Sequence, residues 1–433
     1  MRLDTGNSTH KEERVAGMAG SSREALVEPF VGERYAASAR LSDFIAPPYD
    51  EISPEKRRDL ASRSSCNIVH LVLPEGKDDK YENAARLLRS WRGEGVLKRD
   101  PQPGVYVVQQ HFRLSGEQIR TRTGVIGAVA VEPYSRGRIR PHVRTDAGAR
   151  NDRLALLAAT EAVFEALLML KRDDGNELGT ALSHVTTEQA VAQADLDDVH
   201  VELWFLGGSR GEALSEIAGT GPLYLADGHH RYEAAVAYRK QNPEAKRTLG
   251  LIVPVDDPGL AVLATHRVVY GDGIDFEKVF GELRDRFQIH ELTTELDYAG
   301  HLADLRDRGT ACVVIKPDGT AVSLLLRQRA KLGNLPFANE PAAASLDVLR
   351  VDEMVVRQLL SAAGKDAVLR YRADWDHVVN EVVRGTAVAS VMLNPTAVEQ
   401  VLGVADAGVV MPHKATFFTP KVPGGVVTLA LRG

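Results

Sequence analysis

Residues 226–235 read ADGHHRYEAA. Five adjacent positions hold Asp227, Gly228, His229, His230 and Arg231, and good helix formers follow at once in RYEAAVAYRKQ. The preceding GPLYLADG is short and apolar and ends in Gly, as a strand running into a tight turn does. The unit therefore reads as strand, Asp-Gly turn, helix start. A helix start presents backbone N–H groups that lack intrahelical partners, together with the positive end of the helix dipole. A guanidinium beside them makes a receptacle for anions, phosphate above all. The ordinary alternative is an Asp that caps the helix beside histidines satisfied at the surface or in the core. Five such residues crowded into one turn favour the site.

Three other clusters invite the same question. IRPHVRTDAGARNDRL gathers His142, Arg144, Thr145, Arg150, Asp152 and Arg153 within twelve positions, ahead of a helix expected from about Asn151. Arginines and a Gly beside a helix start suit an oligophosphate; the ordinary reading is a solvated basic loop. ATHRVVY sets Thr265, His266 and Arg267 before an apolar strand, where a structural role is the ordinary expectation, with phosphate contact the alternative. The tail MPHKATFFTPK offers His413, Lys414, Thr416 and Lys421 in a Pro-bounded loop, read as packing for its Phe417–Phe418 pair, with cover for a site as the alternative. The chain has no GxxxxGK[ST], kinase-type Gly-rich loop, GxSxG or HExxH. Vicinal residues on a helix point about 100° apart, so His229 and His230 are not expected to chelate one ion, and no metal ligands are assigned. A Mg²⁺ shared between a carboxylate and bound phosphates would leave little trace in the sequence.

The elements that must position these residues alternate between strands and helices. Pro47-Pro48-Tyr49-Asp50 fixes an extended or turned backbone, and Ser53-Pro54-Glu55 starts a helix with Ser53 as its cap. NIVHLVLP reads as a buried strand, KYENAARLLRSWRGEGVLKRD as a long amphipathic helix ending around Gly93–Gly95, and GVYVVQQHFRLSGEQIRTRTGVIGAVAVEPY as two or three antiparallel strands turning at Ser115-Gly116. ACVVIKPDGTAVSLLLR reads as a hairpin turning at Pro317-Asp318-Gly319. The expected class is α+β, a mixed α/β multi-domain chain. The expected divisions are a disordered leader over 1–25, an N-terminal α+β unit over 26–135, a central unit over 136–275 carrying the His-His-Arg turn, and a C-terminal α+β unit over 276–433.

Bulk properties narrow the function classes. The 433 residues carry 53 Lys and Arg against 59 Asp and Glu, a net charge of −6, which gives no general field for nucleic acid. No helix-turn-helix unit with a basic recognition helix is evident either. Two cysteines, Cys66 and Cys312, stand far apart without a CxxC, so neither a disulfide framework nor a zinc site is expected and a reducing cytoplasm is the simplest home. No apolar run is long enough for a membrane span, and the polar first 24 residues lack the apolar stretch of a secretory signal.

FIAPPYDEIS, PHVRT with DRL, ADGHHRYEAA, ATHRVV and MPHKATFFTPK resemble, in this order, the domain-of-unknown-function family 1015, from about Val27 to near the C-terminus. The Asp-Gly-His-x-Arg turn is also distantly similar to the signature of the ParB/sulfiredoxin superfamily, which includes nucleotide-hydrolysing partition proteins, sulfiredoxins and free-serine kinases. That resemblance implies a central nucleotide-binding unit in which Asp227, Gly228, His229 and Arg231 match the turn and His230 takes its variable position. It implies a phosphotransferase moving a phosphoryl group from ATP, ADP or another nucleotide, with Mg²⁺, to a small hydroxylated molecule such as free serine. Gly228, His229, His230 and Arg231 would cradle phosphates, with Arg144, Thr145, Arg150 and Arg153 beside them and His266 and Arg267 as further contacts. In the family pattern the His of the PH segment is followed by Glu; here that place is Val143. Asp227 and His142 are then the groups able to accept a proton, with Asp152 behind them. Two rivals remain: a nucleotide-binding switch without transfer, and a phosphatase-type hydrolase. A homodimer is compatible with any of these.

Overall fold

The computed structural model describes residues 24–114, 117–143, 145–293, 297–333, 335–412 and 414–432. They form a mixed α/β structure built on two principal sheets. The larger has nine strands: β1 (Val27–Glu28), β2 (Gly104–Arg113), β3 (Ile119–Ala130), β4 (Ile139–Arg140), β5 (Leu167–Lys171), β6 (Ala192–Leu196), β7 (Val199–Gly207), β8 (Leu223–Asp227) and β9 (Arg247–Pro254). Their spatial order is β4-β8-β5-β9-β3-β2-β7-β6, with β1 added to β3. Pairings are antiparallel except β4 with β8 and β5 with β9. Strands from both sides of residue 135 thus share one sheet.

Side-chain alternation explains its two-sided burial. Along β3, Val125 and Val129 enter one apolar cluster while Ile126 and Ala128 enter the other, as a strand covered on both faces requires. Two helices, α1 (Ala147–Thr160) and α2 (His229–Gln241), pack against one another beside this sheet. Asp146 caps α1 by accepting from the Gly148 and Ala149 amides, so that helix starts before the expected Asn151.

The second sheet has six strands: β10 (His266–Tyr270), β11 (Phe287–Leu292), β12 (Ala311–Ile315), β13 (Ala321–Leu326), β14 (Val368–Arg372) and β15 (Ala389–Leu393). Its order is β11-β13-β12-β15-β10-β14, antiparallel throughout. The hairpin around Pro317-Asp318-Gly319 is present, with Gly319 in the left-handed region at φ +82°. Ser53 caps the helix Pro54–Arg63, its hydroxyl accepting from the Lys56 amide at 3.1 Å. One expected strand is corrected. NIVHLVLP contains the short helix Val69–Val72, because its four apolar neighbours are buried on all sides and carry no strand period. The turn expected at Ser115-Gly116 lies outside the described residues.

The C-terminal tail leaves the second sheet and returns to the first unit. Met411 bridges Val143, Phe417–Thr419 pairs with Ala261–Leu263, Gly424 bridges Ala46, and Thr428–Ala430 pairs with Gly32–Tyr35 and Ala162–Val163. It thereby ties the Pro47-Pro48-Tyr49-Asp50 loop, the His142 segment and the His-His-Arg turn together. Among the described residues no helix is long and apolar enough to cross a membrane.

Candidate functional site

The turn after β8 depends on Gly228. Its φ of +91° is a conformation L side chains rarely adopt, and an added Cβ would meet Leu167 Cδ2 at 2.6 Å. Helix α2 then starts with no side-chain cap. Its first intrahelical bond runs from the Tyr232 amide to the Gly228 carbonyl at 3.0 Å, and the amides of His229, His230 and Arg231 have no hydrogen bond among the described residues. These unspent donors open onto a cavity of about 80 Å³ whose walls include Tyr49, Asp50, His142, Asp227, Lys414 and Thr416 as well as residues 228–231. It is a concavity at the C-terminal end of a strand and the N-terminal end of a helix, where open α/β sheets place ligands.

Asp227 is fully engaged. Lys421 Nζ reaches its Oδ1 at 3.1 Å and Arg231 Nη2 its Oδ2 at 3.1 Å. Burial alone would raise the carboxyl's pKa, but Lys421 and Arg231 overcome that and pull it down to about 2. Arg231 also donates to the Ala166 carbonyl at 2.9 Å, and Lys421 lies 3.6 Å from Glu51 Oε1. His142 is 1% exposed. The Leu225 carbonyl, 2.9 Å away, can only accept, so it takes the Nδ1 proton and leaves Nε2 to accept from the Thr416 hydroxyl at 3.0 Å. Burial lowers the His142 imidazole to about 4. Burial, with His142 close by, holds His229 well below its usual range as well. Both rings are neutral near pH 7. Asp227 and His142, the two groups expected to accept a proton, are therefore weak bases with their bonding atoms occupied.

The two motif segments meet. The His142 amide donates to His229 Nε2 at 3.5 Å, the two rings stand edge to face 4.8 Å apart, and the Asp146 amide donates to His230 Nε2 at 2.9 Å. Of the arginines expected beside the turn, Arg150 and Arg153 do not line this cavity. Arg153 pairs with Asp152, donates to the Val72 carbonyl and stacks over Tyr49, and it lines a separate cavity between α1 and α2. Among the described residues the Arg150 side chain bonds its neighbour Asn151 at 3.4 Å. Thr145 donates to Glu233. Asp152, the reserve base, is held by Tyr81, Lys80 and Arg153. Arg144 and His413 lie outside the described residues. His266 and Arg267 belong to β10 in the second sheet, where Arg267 makes two bonds to Asp352 at 2.7 and 2.9 Å. Neither lines the cavity.

Sequence reasoning missed Asp50, Lys421 and Thr416 as contributors. Asp50 is an exposed carboxylate on the cavity wall with no hydrogen bond among the described residues, and it lies in the FIAPPYDEIS motif beside the kink set by Pro47-Pro48. Thr416 and Lys421 lie in the MPHKATFFTPK segment, one of the motifs of the family resemblance, but were read there as loop and packing.

Among solved structures the chain is similar to a conserved hypothetical protein from Pyrococcus furiosus, at 15% identity over 68% of this chain and 93% of that one, with a TM-score of 0.34. It is also similar to a free serine kinase in complex with AMP, at 15% identity over 66% and 88%, with a TM-score of 0.34. SbnI from Staphylococcus aureus with a C-terminal truncation matches at 13% identity over 69% and 87%, with a TM-score of 0.37. No curated protein matches the sequence. The profile of the family described as Protein of unknown function (DUF1015) matches residues 27–349, and the chain belongs to that family.

Proposed function

We propose that the cavity binds the phosphates of a nucleotide and that the protein transfers a phosphoryl group from it to the hydroxyl of a small molecule. The observation that carries this reading is the uncapped start of α2, whose three free amides open onto a polar cavity beside Arg231 and Lys414. The similarity of Asp227-Gly228-His229-x-Arg231 to the ParB/sulfiredoxin signature supports it. Phosphates sit on the amides of His229, His230 and Arg231. Such a transfer depends mainly on positioning and electrostatics and needs no covalent nucleophile. Among the described residues no group of three or more His, Cys, Asp or Glu could hold a metal. Mg²⁺ would therefore be held chiefly by the phosphates and water. Asp50 is the group we assign to accept the acceptor's hydroxyl proton, since Asp227 and His142 are tied down.

The test is thermal-shift screening with ATP, ADP, CTP and GTP, with and without Mg²⁺, followed by transfer of labelled γ-phosphate to a panel of hydroxy amino acids. Absence of any stabilisation at millimolar nucleotide removes the reading. A second reading, a nucleotide-binding switch without transfer, is favoured by Val143 at the place where the family pattern has Glu. Stabilisation with no labelled product, in the wild type and with every acceptor, selects it.

A further inference from the structure

Two charged side chains on the cavity wall are unspent, and they carry opposite signs. Asp50 is one. Lys414 is the other: it is half-buried, and its ammonium has no hydrogen bond or ion pair among the described residues. The two do not pair with each other, so the small cavity keeps room for a polar group that meets both. The other cations near the turn are taken. Arg231 gives Nη1 to the Ala166 carbonyl and Nη2 to Asp227, keeping only Nε, which is closed off from solvent. Lys421 is held by Asp227 and Glu51. The backbone at Lys414 is also unusual. Its φ of +57° lies in the left-handed region, which glycine occupies freely and a lysine rarely enters. Its surroundings hold it there. The Met411 amide donates to the His142 carbonyl at 2.7 Å, the Thr396 hydroxyl to the Ala415 carbonyl at 3.2 Å, and the Thr416 hydroxyl to His142 Nε2 at 3.0 Å. Backbone needs alone call for glycine at this position, so the reason for lysine lies in its side chain.

We infer that Lys414 is a further catalytic residue: its ammonium, brought in by the tail, binds the phosphoryl group in transfer, while the amides of α2 bind phosphate from the turn. This rests on the phosphotransfer reading above. In the step, the bond from phosphorus to the bridging oxygen of the nucleotide breaks and that oxygen keeps the electron pair. A bond from the acceptor oxygen to phosphorus forms, and the acceptor's proton passes to Asp50. Lys414 makes and breaks no covalent bond and keeps its protons; it offsets the negative charge carried by the phosphoryl oxygens. A compact ammonium with three donors and no acceptor suits that task, because it can follow oxygens that shift as the bonds change. Lys414 thereby fills the role expected of the arginine segment, whose Arg150 and Arg153 do not line this cavity.

The experiment compares wild type, Lys414→Gln, Lys414→Gly and Lys414→Arg in the full chain. Thermal shift with ATP and with inorganic pyrophosphate reads binding, and labelled transfer from ATP to the hydroxy amino acids reads turnover. Without ligand, Lys414→Gln should melt close to wild type and Lys414→Gly at or above it, since glycine relieves the backbone. Both should need at least about tenfold more ATP or pyrophosphate for the same shift, and their kcat should fall about a hundredfold. Lys414→Arg should recover part of both losses. A role in shaping the tail alone predicts the reverse: glycine at least as active as wild type, and arginine no better than glutamine. Three results overturn the inference: wild-type ATP response and kcat in the Gln or Gly variant, an Arg variant no better than Gln, or Gln and Gly variants that both melt well below wild type. ATP binding by wild type without labelled product, together with a weakened ATP response in Lys414→Gln, overturns the phosphotransfer reading and keeps Lys414 as a phosphate contact. No response of wild type to ATP or pyrophosphate removes both.

Discussion

Two described regions set a histidine close to an arginine, one fully buried and one half-buried, and they differ in what is left unspent. In β10, His266 is fully buried, its Nδ1 accepts from the Leu393 amide at 3.3 Å, and its ring lies 4.3 Å from Trp375. Arg267 beside it is claimed by Asp352 and stacks over Tyr371. A strand spends its amides in the ladder, and His266 Nε2, left without a partner, is closed off from solvent. At the start of α2, His229 and Arg231 share a turn whose amides are free, and a cavity lies over them. Residue type is the same in both; unspent bonding capacity facing a concavity is what distinguishes them.

The sharpest way to break this contrast is Arg267→Ala. Removing one partner of a buried ion pair strands Asp352, so unfolding stability should fall by about 3–5 kcal/mol in denaturant titration. Nucleotide response of the folded fraction should be unchanged. Loss of that response at temperatures where the variant is folded would mean the two regions are not separate in function.

Acid should act on both regions alike. Burial lowers His142 to about 4 and His266 to about 3, below the value each has in the unfolded chain. The unfolded state then binds more protons, so stability falls as pH drops below about 6.5 and continues to fall towards the folded-state values. Each histidine adds a slope of about 1.4 kcal/mol per pH unit in that window, up to about 3 kcal/mol for His142. Replacing either one with Gln should remove one such slope from the stability–pH curve, and only His142→Gln should alter the nucleotide response. An unchanged curve for both variants would show that neither ring is held neutral.

Asp227 works in the opposite sense to a buried histidine. Its folded pKa is depressed to about 2, so its contribution is present above the unfolded value near pH 4 and disappears as pH falls through about 2. That contribution is on the order of 2 kcal/mol. Asp227→Asn should flatten the curve there, and by releasing Lys421 and Arg231 it should tighten binding of inorganic phosphate. Weaker phosphate binding by this variant would place the anion elsewhere.

How much of this was legible follows from how local each signal is. The strand, glycine turn and helix at 223–241 were readable because a few neighbouring residues specify them. The Ser53 cap and the hairpin at 317–319 were readable for the same reason. NIVHLVLP was misread because a short apolar run has the same appearance in a buried helix and a buried strand. Asp50, Thr416 and Lys421 meet the turn only through the return of the tail, a closure with no sequence pattern.

The mildest test turns one region into a copy of the other. His266 Nε2 is buried without a partner, whereas His142 Nε2 accepts from Thr416. Thr416→Val keeps the shape and removes the donor, leaving His142 with the same deficit that His266 has. An orphaned buried acceptor costs about 1–2 kcal/mol, readable as a lower melting temperature, and a nitrogen freed of its donor takes up a proton more easily. The His142 ring signal in an NMR titration should therefore move to a higher midpoint than in wild type. If neither stability nor midpoint changes, the Thr416 contact adds nothing, and the tail is fixed over the cavity by Lys421 and the Met411–Val143 bridge instead.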